Sequence, residues 1–306
     1  MCPHQDISWV PNNFLALPGE KSSWETSQVV LMPVPYDSTT SYRTGTREGP
    51  GAILKASYNL EDYDHDLGFD VTDIGIHTTP ALEPDMNGPR AMVGRVKKAV
   101  QQVIGKDKLV GLLGGEHTIT VGSIMAMSER HPDLTVLYLD AHGDLRDQYM
   151  GSKWGHATVA RRVVEMCPVT QVGIRSISLE EELSMPCEGL TTFFWKENSV
   201  ELPSPDKLLS NLSKHIYISV DLDVLDPSIM SAVGTPEPGG MLWWQIIELL
   251  EVVSRNRKIV GFDITELNPA EGPDACAYLA AKLAYKLIAF ANNQSANRPA
   301  PEHSAE

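Results

Sequence analysis

Paired cysteines are absent from the sequence. The four cysteines, Cys2, Cys167, Cys187 and Cys276, lie far apart, and no Cys-x-x-Cys pair occurs. This excludes a disulfide framework and a thiolate zinc cluster, because both need cysteines at short, regular spacings. We therefore expect reduced thiols that serve mainly in packing.

The chain also lacks an excess of basic residues. Its 25 Lys and Arg are outnumbered by 40 Asp and Glu, which gives a formal net charge of −15. A surface of this sign repels phosphate backbones, so nucleic acid is disfavoured as a partner. A cationic small molecule is favoured instead.

Long apolar runs are missing as well. No stretch approaches the roughly 18 apolar residues of a membrane-spanning helix. The first residues, MCPHQDISWVPNNFLALPGE, do not place an apolar region after a basic one, so they do not resemble a secretory signal. We expect a soluble, cytoplasmic protein without a membrane partner.

Short apolar runs alternate with amphipathic stretches of helix length. This pattern is typical of an α/β fold, with a mostly parallel central sheet between two layers of helices. The predicted strands cover 28–34, 108–114, 134–140, 169–174, 215–223 and 258–264, and the predicted helices cover 49–58, 88–105, 119–130, 156–166, 205–214, 241–255 and 274–291. Short connections favour a single domain, 28–291, with an N-terminal extension, 1–27, and a disordered tail, 292–306.

Acids and imidazoles follow three of the predicted strands. The motif GGEHT places a histidine after one strand, LDAHGD places two acids and a histidine after the next, and SVDLD places two acids after a later one. Residues two apart in an extended chain face the same side, so these side chains converge if the three strands are neighbours. The six residues are His117, Asp140, His142, Asp144, Asp221 and Asp223.

Four carboxylates in one buried place are unfavourable, because like charges raise one another's pKa values. Two divalent cations would balance the four charges, and the two imidazoles would complete their coordination. Oxygen and imidazole donors without thiolate favour manganese, although nickel or cobalt would fit the same ligands. Two such ions roughly 3.5–4 Å apart can hold and deprotonate a water, which indicates a hydrolase.

Each residue also has a simpler interpretation. A single histidine such as His117 is more often packed or capping than a ligand, and Asp-x-Asp after a strand is commonly a turn or a helix cap. His156 would by itself be a helix-start histidine on a surface loop, and Glu266 a strand-end acid paired with an arginine. Polar groups on three strand ends together favour the metal interpretation for the six residues.

These motifs resemble those of a known family. GGEHT, LYLDAHGDLRD, ISVDLDVLDPS with GTPEPGG, and GFDITELNPAEG occur in the order and context of the ureohydrolase family, the arginase and agmatinase group. The resemblance extends from about residue 28 to 290, and it includes SYRTGTREGPGAI, which is similar to the family's N-terminal loop. VGIRSISLEE is similar to the agmatinase branch. The resemblance implies an arginase-like three-layer fold and an enzyme that releases urea from a guanidino compound.

The resemblance divides the ligands between two manganese ions. It assigns His117, Asp140, Asp144 and Asp221 to one ion, and Asp140, His142, Asp221 and Asp223 to the other. Asp140 and Asp221 would then bridge the pair.

The resemblance also implies catalytic roles. His156, in KWGHAT, matches the family's proton-shuttle histidine, and Glu266, in ITELNP, matches the acid that binds the guanidinium group. Asp144 would relay a proton. Family members assemble as trimers or hexamers, so we expect a homo-oligomer.

The substrate is less closely defined. Arginases hold the amino-acid head group with a loop that contains Asn and Ser, whereas the corresponding loop here, RDQYMGSKWG, has no Asn and offers a carboxylate only Arg146 or Lys153. Arginine is therefore disfavoured, and agmatine, a dication that yields putrescine for polyamine biosynthesis, suits the acidic site.

A departure from the agmatinase pattern keeps other substrates open. Ser231, Ala232 and Val233 replace the Pro, Gly and Thr of many agmatinases, which predicts a more apolar loop at the mouth of the site. Guanidinobutyrate, another guanidine or guanidine itself is the alternative substrate. A deacetylase-like metal enzyme and a non-catalytic binder are the alternatives from other classes.

Overall fold

Strands and helices alternate along the chain. The computed structural model describes residues 9–185, 187–196 and 201–292. In these ranges the strands are β1 (Val29–Val34), β2 (Tyr63–Asp64), β3 (Phe69–Asp70), β4 (Ile76–Thr78), β5 (Leu109–Gly114), β6 (Leu134–Leu139), β7 (Val169–Ile174), β8 (Leu190–Phe194), β9 (His215–Asp221) and β10 (Lys258–Thr265). The α-helices are α1 (Gly19–Ser22), α2 (Gly49–Ser57), α3 (Pro89–Ile104), α4 (Ile119–Arg130), α5 (Val159–Val164), α6 (Leu179–Ser184), α7 (Pro205–Ser210), α8 (Trp243–Asn256) and α9 (Asp274–Asn292).

Eight strands form one parallel sheet, in the order β4-β1-β5-β10-β9-β6-β7-β8, and β2 pairs with β3 in a small antiparallel ribbon. The sheet is buried on both faces. Along β6, Val136 and Tyr138 pack with residues of α3, α4 and α5, whereas Leu137 and Leu139 pack with residues of α2, α8 and α9. This alternation is what a strand between two helical layers requires. The predicted three-layer α/β/α fold is therefore confirmed.

All six predicted strands are present, each within two residues of its predicted bounds. The strands that the sequence did not predict are β2 and β3 of the ribbon, the short β4 and the half-exposed β8. Strands β4 and β8 lie at the two edges of the sheet. Helix α6 was not predicted either. Its two leucines, Leu179 and Leu183, are exposed, so the helix has no apolar face to detect. Its only sequence signal is a capping box, in which Ser178 and Glu181 bond to each other's backbone N–H.

The carboxyl ends of the four central strands meet at one edge of the sheet, where open α/β sheets bind their ligands. The six side chains were predicted to converge if β5, β6 and β9 are neighbours. β6 and β9 are neighbours, but β10 lies between β9 and β5. The loop after β10, which begins with Glu266, therefore lies at the same carboxyl edge of the sheet.

The segment before β1 packs against the sheet layer. Phe14, Leu15 and Leu17 are buried in the same cluster as the residues of α2 and α9. The backbone N–H of Leu15 donates to the hydroxyl of Ser57 at the end of α2, 2.8 Å away. The predicted tail lies outside the described residues from position 293 onward. None of the helices in the described ranges is long and apolar enough to cross a bilayer.

A buried ion pair ties the β2–β3 ribbon to α9. Nζ of Lys286 lies 2.8 Å from Oδ2 of Asp64 and 3.0 Å from Oδ2 of Asp66. Lys286 and Asp64 are buried, whereas the side chain of Asp66 is 78% exposed. Each of these two buried charges needs the other as its counter-charge, so loss of one leaves the other buried and unpaired.

We expect Lys286→Met to lower the free energy of unfolding by about 3–5 kcal/mol, because it leaves the carboxylate of Asp64 buried without a counter-charge. Asp66→Asn is the matched control, and its cost should stay below about 1 kcal/mol since its charge is exposed. Urea denaturation of the two variants measures both values. Equal losses would contradict the assignment of the stabilising contact to Asp64.

Candidate metal centre and active site

His117 lies in the loop between β5 and α4. This loop passes so close to β1 that a Cβ on Gly115 would stand 2.0 Å from the carbonyl oxygen of Tyr36, so only glycine fits there. The imidazole is fully buried. Its Nδ1 lies 3.1 Å from Oδ2 of Asp140 and 3.2 Å from Oδ2 of Asp221.

The loop after β6 carries Asp140, His142 and Asp144. Oδ1 of Asp140 accepts the backbone N–H of His142 at 2.6 Å. Nδ1 of His142 lies 2.9 Å from Oδ2 of Asp223. The backbone of Asp144 has φ of +51°, a left-handed conformation that turns its side chain back toward the hydroxyl of Tyr138, which donates to Oδ2 at 2.7 Å.

Asp221 ends β9, and Asp223 lies in the 3-10 turn Leu222–Val224 that follows. Oδ1 of Asp221 accepts the N–H of Asp223 at 2.9 Å. Oδ1 of Asp223 accepts the N–H of Ala141 at 3.1 Å, which joins this turn to the loop after β6. One oxygen of each carboxylate is thus used for backbone bonds, and the other faces a histidine.

The predicted residues meet in two groups that could each hold a metal ion. The first contains His117, Asp140 and Asp221, and the second contains Asp140, His142 and Asp223. In each group the ligand atoms lie within 4.8 Å of one another, and Asp140 belongs to both. Asp144 stands beside the first group, with Oδ2 3.7 Å from Nδ1 of His117. Asp221 falls only in the first group, and its Oδ1 accepts the N–H of Asp223.

Burial and like charge set the protonation of this cluster. Burial, reinforced by the neighbouring carboxylates, raises the pKa values of Asp144 and Asp221 well above their ordinary range. Burial alone would lower the pKa values of His117 and His142, but the facing carboxylates outweigh it and raise them. The two facing imidazoles in turn outweigh burial at Asp140 and lower its pKa. The carboxylates repel one another in this buried site, and a bound divalent cation would remove that repulsion by neutralising their charge.

Asp140 shows that the residues fit a cation. Its Oδ2 is buried and has no hydrogen-bond partner among the described residues. A buried carboxylate oxygen in this state costs free energy unless a cation or a donor satisfies it. Oxygen and imidazole donors are the set that manganese, nickel, cobalt and similar divalent ions accept.

The predicted catalytic residues line the same cavity as the cluster. This cavity has a volume of about 260 Å³, and His156, Glu266, Ser41 and Tyr149 contribute to its wall. Glu266 is buried and, like Asp144, has a left-handed backbone, with φ of +67°. Its Oε1 accepts the N–H of His117 at 2.7 Å, so its partner is this backbone rather than an arginine. Burial raises the pKa of Glu266 to about 8.

His156 begins the 3-10 turn His156–Thr158 that leads into α5. Its Nε2 lies 3.2 Å from the hydroxyl of Ser41, and its Nδ1 lies 3.3 Å from the hydroxyl of Thr39. The ring packs edge-on against Tyr149. Burial lowers the pKa of His156 to about 4, so the imidazole is neutral at pH 7.

The arginase-family model matches residues 27–289 of the chain. The chain belongs to the arginase family. A curated relative, the N(1)-aminopropylagmatine ureohydrolase of Synechocystis sp., is 36% identical over 295 residues, which cover 92% of this chain and 96% of that protein. The agmatinase of Pyrococcus horikoshii is 34% identical, over 85% of this chain and 90% of that one. The crystal structure of agmatine ureohydrolase of Thermoplasma volcanium matches with a TM-score of 0.83 at 32% identity, covering 96% of this chain and 98% of that one.

These matches confirm the predicted family, its fold and its class of enzyme. The chain is a ureohydrolase of the arginase family, which is a metal-dependent family, and it carries candidate metal-ligand groups at the carboxyl edge of its sheet.

Behind the cluster of this arginase-family chain, a polar relay that the sequence did not predict orients His117. Nε2 of His117 lies 2.9 Å from the hydroxyl of Ser219, and that hydroxyl donates to Oδ1 of Asp263 at 2.7 Å. Because the Ser219 proton goes to the carboxylate, Nε2 must donate to Ser219, and Nδ1 is left facing Asp140 and Asp221. A signal was present: Asp263 is a lone carboxylate inside the apolar strand KIVGFDIT.

One prediction about the mouth of the cavity is wrong. Ala232 and Val233 are fully buried and do not line the cavity, whereas the next residues, Gly234 and Thr235, do. The backbone oxygen of Ala232 accepts the N–H of Asn268, 2.8 Å away, which holds this loop against the loop after β10. The prediction of an apolar mouth at 231–233 is therefore wrong for these two residues, and their exchange changes packing beneath the mouth.

We expect Asp263→Asn to weaken divalent-metal binding by about 10–100-fold, because the relay that holds the tautomer of His117 loses its acceptor. Asp133→Asn is the matched control. It removes a carboxylate that contacts another histidine, His215 at 2.9 Å, at the opposite end of β9. Metal titration of the two metal-free variants measures the difference. An affinity of Asp263→Asn equal to that of the control would contradict the role of the relay.

Proposed function

We propose that the chain hydrolyses the guanidino group of a linear guanidinoalkylamine to urea and an amine, and that agmatine, which yields putrescine, is the first candidate. The observation that carries this proposal is the shared cavity, because Glu266, His156 and the acid–imidazole cluster line one small space. A planar cation there would meet a carboxylate, a metal-ligand set and a proton carrier together. The relatives named agmatinase and N(1)-aminopropylagmatine ureohydrolase support this class, and the second name makes N(1)-aminopropylagmatine the other candidate.

Two manganese ions are the cofactor we propose, and nickel or cobalt would suit the same donors. His117, Asp140, Asp144 and Asp221 would hold one ion, and Asp140, His142, Asp221 and Asp223 the other. The sharing of Asp140 between the two ligand groups supports a bridged pair. When bound, the ions would supply a hydrolytic nucleophile near neutral pH by lowering the pKa of a water.

Glu266 binds and orients the guanidinium group in this proposal. Its Oε1 already accepts the N–H of His117, which leaves Oε2 to accept an N–H of the substrate. Burial raises the pKa of Glu266 to about 8, and a cation beside the carboxyl group opposes that rise. Binding of the guanidinium and ionisation of Glu266 therefore favour each other, and a neutral amide gains no such partner.

His156 delivers the proton that the departing amine needs. We assign this step to Nε2, since Nδ1 faces Thr39. With a pKa near 4, the imidazole is neutral until it receives a proton, and it then gives that proton up readily. Asp144, which lines the same cavity as His156, is the residue we propose to relay the proton.

The charges at the mouth disfavour substrates that carry a carboxylate. Arg43 is engaged with Glu271 at 3.0 Å, and Lys153 with Asp147 at 2.9 Å. Arg146 stacks on the ring of Tyr149, with its guanidinium carbon 4.8 Å from the ring centroid. Arginine or guanidinobutyrate would have to draw one of these cations away from its partner, whereas a dication or trication would not.

A cytoplasmic homo-oligomer, trimeric or hexameric and built on the single domain 28–291, completes the proposal.

A urea-release assay over agmatine, N(1)-aminopropylagmatine, arginine, guanidinobutyrate and guanidine, with manganese, nickel or cobalt, tests the function. We expect one of the two carboxylate-free amines to exceed arginine and guanidinobutyrate by about 100-fold or more in kcat/KM, because pairing a substrate carboxylate here leaves polar groups uncompensated. No urea from any compound with any of the three metals would contradict the proposal, and so would a preference for arginine.

Metal counting tests the bridged pair. We expect Asp221→Asn to lose both ions, since the proposed bridge serves both. Asp226→Asn is the matched control, because Asp226 lies on the same loop and accepts the N–H groups of Ser228, Gly239 and Gly240 instead of facing the cluster. Elemental analysis of the two purified variants gives the ions per chain. Retention of two ions by Asp221→Asn would contradict a bridging role, and one tightly held zinc in the wild type would favour the deacetylase-like alternative.

A further inference from the structure

A buried carboxylate outside the cavity is linked to His156. Glu116 precedes His117 in the loop after β5 and is fully buried. Its Oε2 accepts the backbone N–H of Thr39 at 2.6 Å, and its Oε1 accepts the hydroxyl of Thr39 at 2.8 Å. The same hydroxyl oxygen lies 3.0 Å from the backbone nitrogen of His156 and 3.3 Å from its Nδ1. Thr39 therefore stands between an acid that lines no part of the cavity and the proposed proton carrier.

The direction of these bonds follows from which atoms can donate. A backbone N–H can only donate, so Oε2 of Glu116 is an acceptor. The Thr39 hydroxyl has one proton, and the carboxylate at 2.8 Å is its nearest acceptor. With that proton given to Glu116, the hydroxyl oxygen has only lone pairs left, and it accepts from the backbone N–H of His156. Its other neighbours are the hydroxyl of Thr118 at 3.4 Å, whose own proton goes to Glu116, and Nδ1 of His156, which must then carry a proton.

This arrangement leaves Nε2 of His156 as the bare nitrogen. Nε2 faces the hydroxyl of Ser41, which lines the cavity together with the ring of His156. A ring with this tautomer can accept a proton at Nε2, on the cavity side, and release it from the same atom. In the reverse tautomer the free lone pair would be on Nδ1, which faces Thr39 and away from any substrate.

We propose that Glu116 is a positioning residue that fixes the Nδ1–H tautomer of His156 through the hydroxyl of Thr39. This inference rests on the proposed function, because the tautomer matters only if His156 transfers a proton to the substrate. The competing interpretation is structural: Glu116 would only tie the loop after β1 to the loop after β5. The two interpretations differ in what a change at Glu116 does to His156.

The variant Glu116→Gln separates them. The carbonyl oxygen of the amide must stay at the Thr39 N–H, since that group only donates, so the NH₂ group faces the Thr39 hydroxyl and donates to it. The hydroxyl must then send its own proton elsewhere, and its two neighbours are Nδ1 of His156 at 3.3 Å and the hydroxyl of Thr118 at 3.4 Å, of which the imidazole nitrogen is the stronger acceptor. We therefore expect Glu116→Gln to shift His156 from the Nδ1–H to the Nε2–H tautomer with little change in shape.

The first measurement needs neither metal nor substrate. Two-dimensional NMR of the chain labelled with ¹⁵N-histidine distinguishes the protonated from the bare ring nitrogen, and His156→Ala identifies the His156 signals. We expect Nδ1–H in the wild type and Nε2–H in Glu116→Gln. The Nε2–H tautomer in the wild type would overturn the inference, and so would an unchanged Nδ1–H in the variant.

The second measurement is kinetic, on the metal-loaded enzyme. We expect Glu116→Gln to lower kcat by about 100-fold, the lower range of general acid–base contributions, with KM and the number of bound ions unchanged. A loss confined to KM or to metal content would support the structural interpretation and overturn ours. If the wild type releases no urea from any guanidino compound, the proposed function fails, while the NMR result still decides the tautomer.

Two variants of Thr39 keep the test decisive if Glu116→Gln does not fold. Thr39→Val has nearly the same shape without the hydroxyl, and it should lower kcat as Glu116→Gln does. Thr39→Ser restores the hydroxyl, and it should recover the Nδ1–H tautomer and most of kcat. Because Glu116 acts through Thr39, the double variant Glu116→Gln/Thr39→Val should lose no more than either single variant. Additive losses, or equal kcat for Thr39→Val and Thr39→Ser, would overturn the inference.

Discussion

Four carboxylates buried at the carboxyl edge of one parallel sheet are the constraint on which the site depends. Asp140, Asp144, Asp221 and Asp223 are all at least 90% buried, and an isolated charge in such a place is very costly. The surrounding structure therefore supplies partners to each of them: backbone N–H groups from neighbouring turns, a tyrosine hydroxyl for Asp144, and two imidazoles. These partners leave Oδ2 of Asp140 without a hydrogen bond, and Asp140 is the residue that the two ligand groups share. The strands around this centre hold the carboxylates in place, and the neighbouring loops form the cavity beside it.

Much of this was predictable because two periodicities coincide. The apolar runs identify the buried strands of a parallel sheet, and polar residues spaced two apart at their ends identify the ligands, so both the three-layer fold and the meeting of the six side chains follow from the sequence. Other features follow from long-range neighbours that no local pattern encodes. The position of β10 between β5 and β9 depends on the strand order of the whole sheet. The relay from Asp263 through Ser219 to His117 joins the interiors of β10 and β9 to the loop after β5, and the burial of Ala232 and Val233 depends on the loop after β10. The edge strand β4 and helix α6 were missed because one is three residues long and the other has no apolar face.

His117 and His156 are held by similar hydrogen-bond chains, but their pKa values shift in opposite directions. In each, the nitrogen that faces away from the centre of the site contacts a hydroxyl, and that hydroxyl donates to a buried carboxylate. Ser219 and Asp263 serve His117 from within the sheet, and Thr39 and Glu116 serve His156 from the loops. The carboxylates raise the pKa of His117, whereas burial lowers that of His156. The difference arises because His117 faces two acids directly, while His156 meets its acid only through Thr39. The same local arrangement thus serves both the proposed metal ligand, His117, and the proposed proton carrier, His156.

The left-handed backbones of Asp144 and Glu266 have a consequence for protein engineering. At each position a residue with a Cβ costs roughly 1–2 kcal/mol relative to glycine, more for Glu than for Asp, which tolerates this region better. A procedure that considers backbone strain alone would therefore favour glycine at both positions. The same two changes would remove one acid beside the ligand groups and the acid that we propose to bind the guanidinium group. The strain marks positions where stability and activity select different amino acids, so variants of this scaffold need to keep residues 144 and 266 fixed while the rest is optimised.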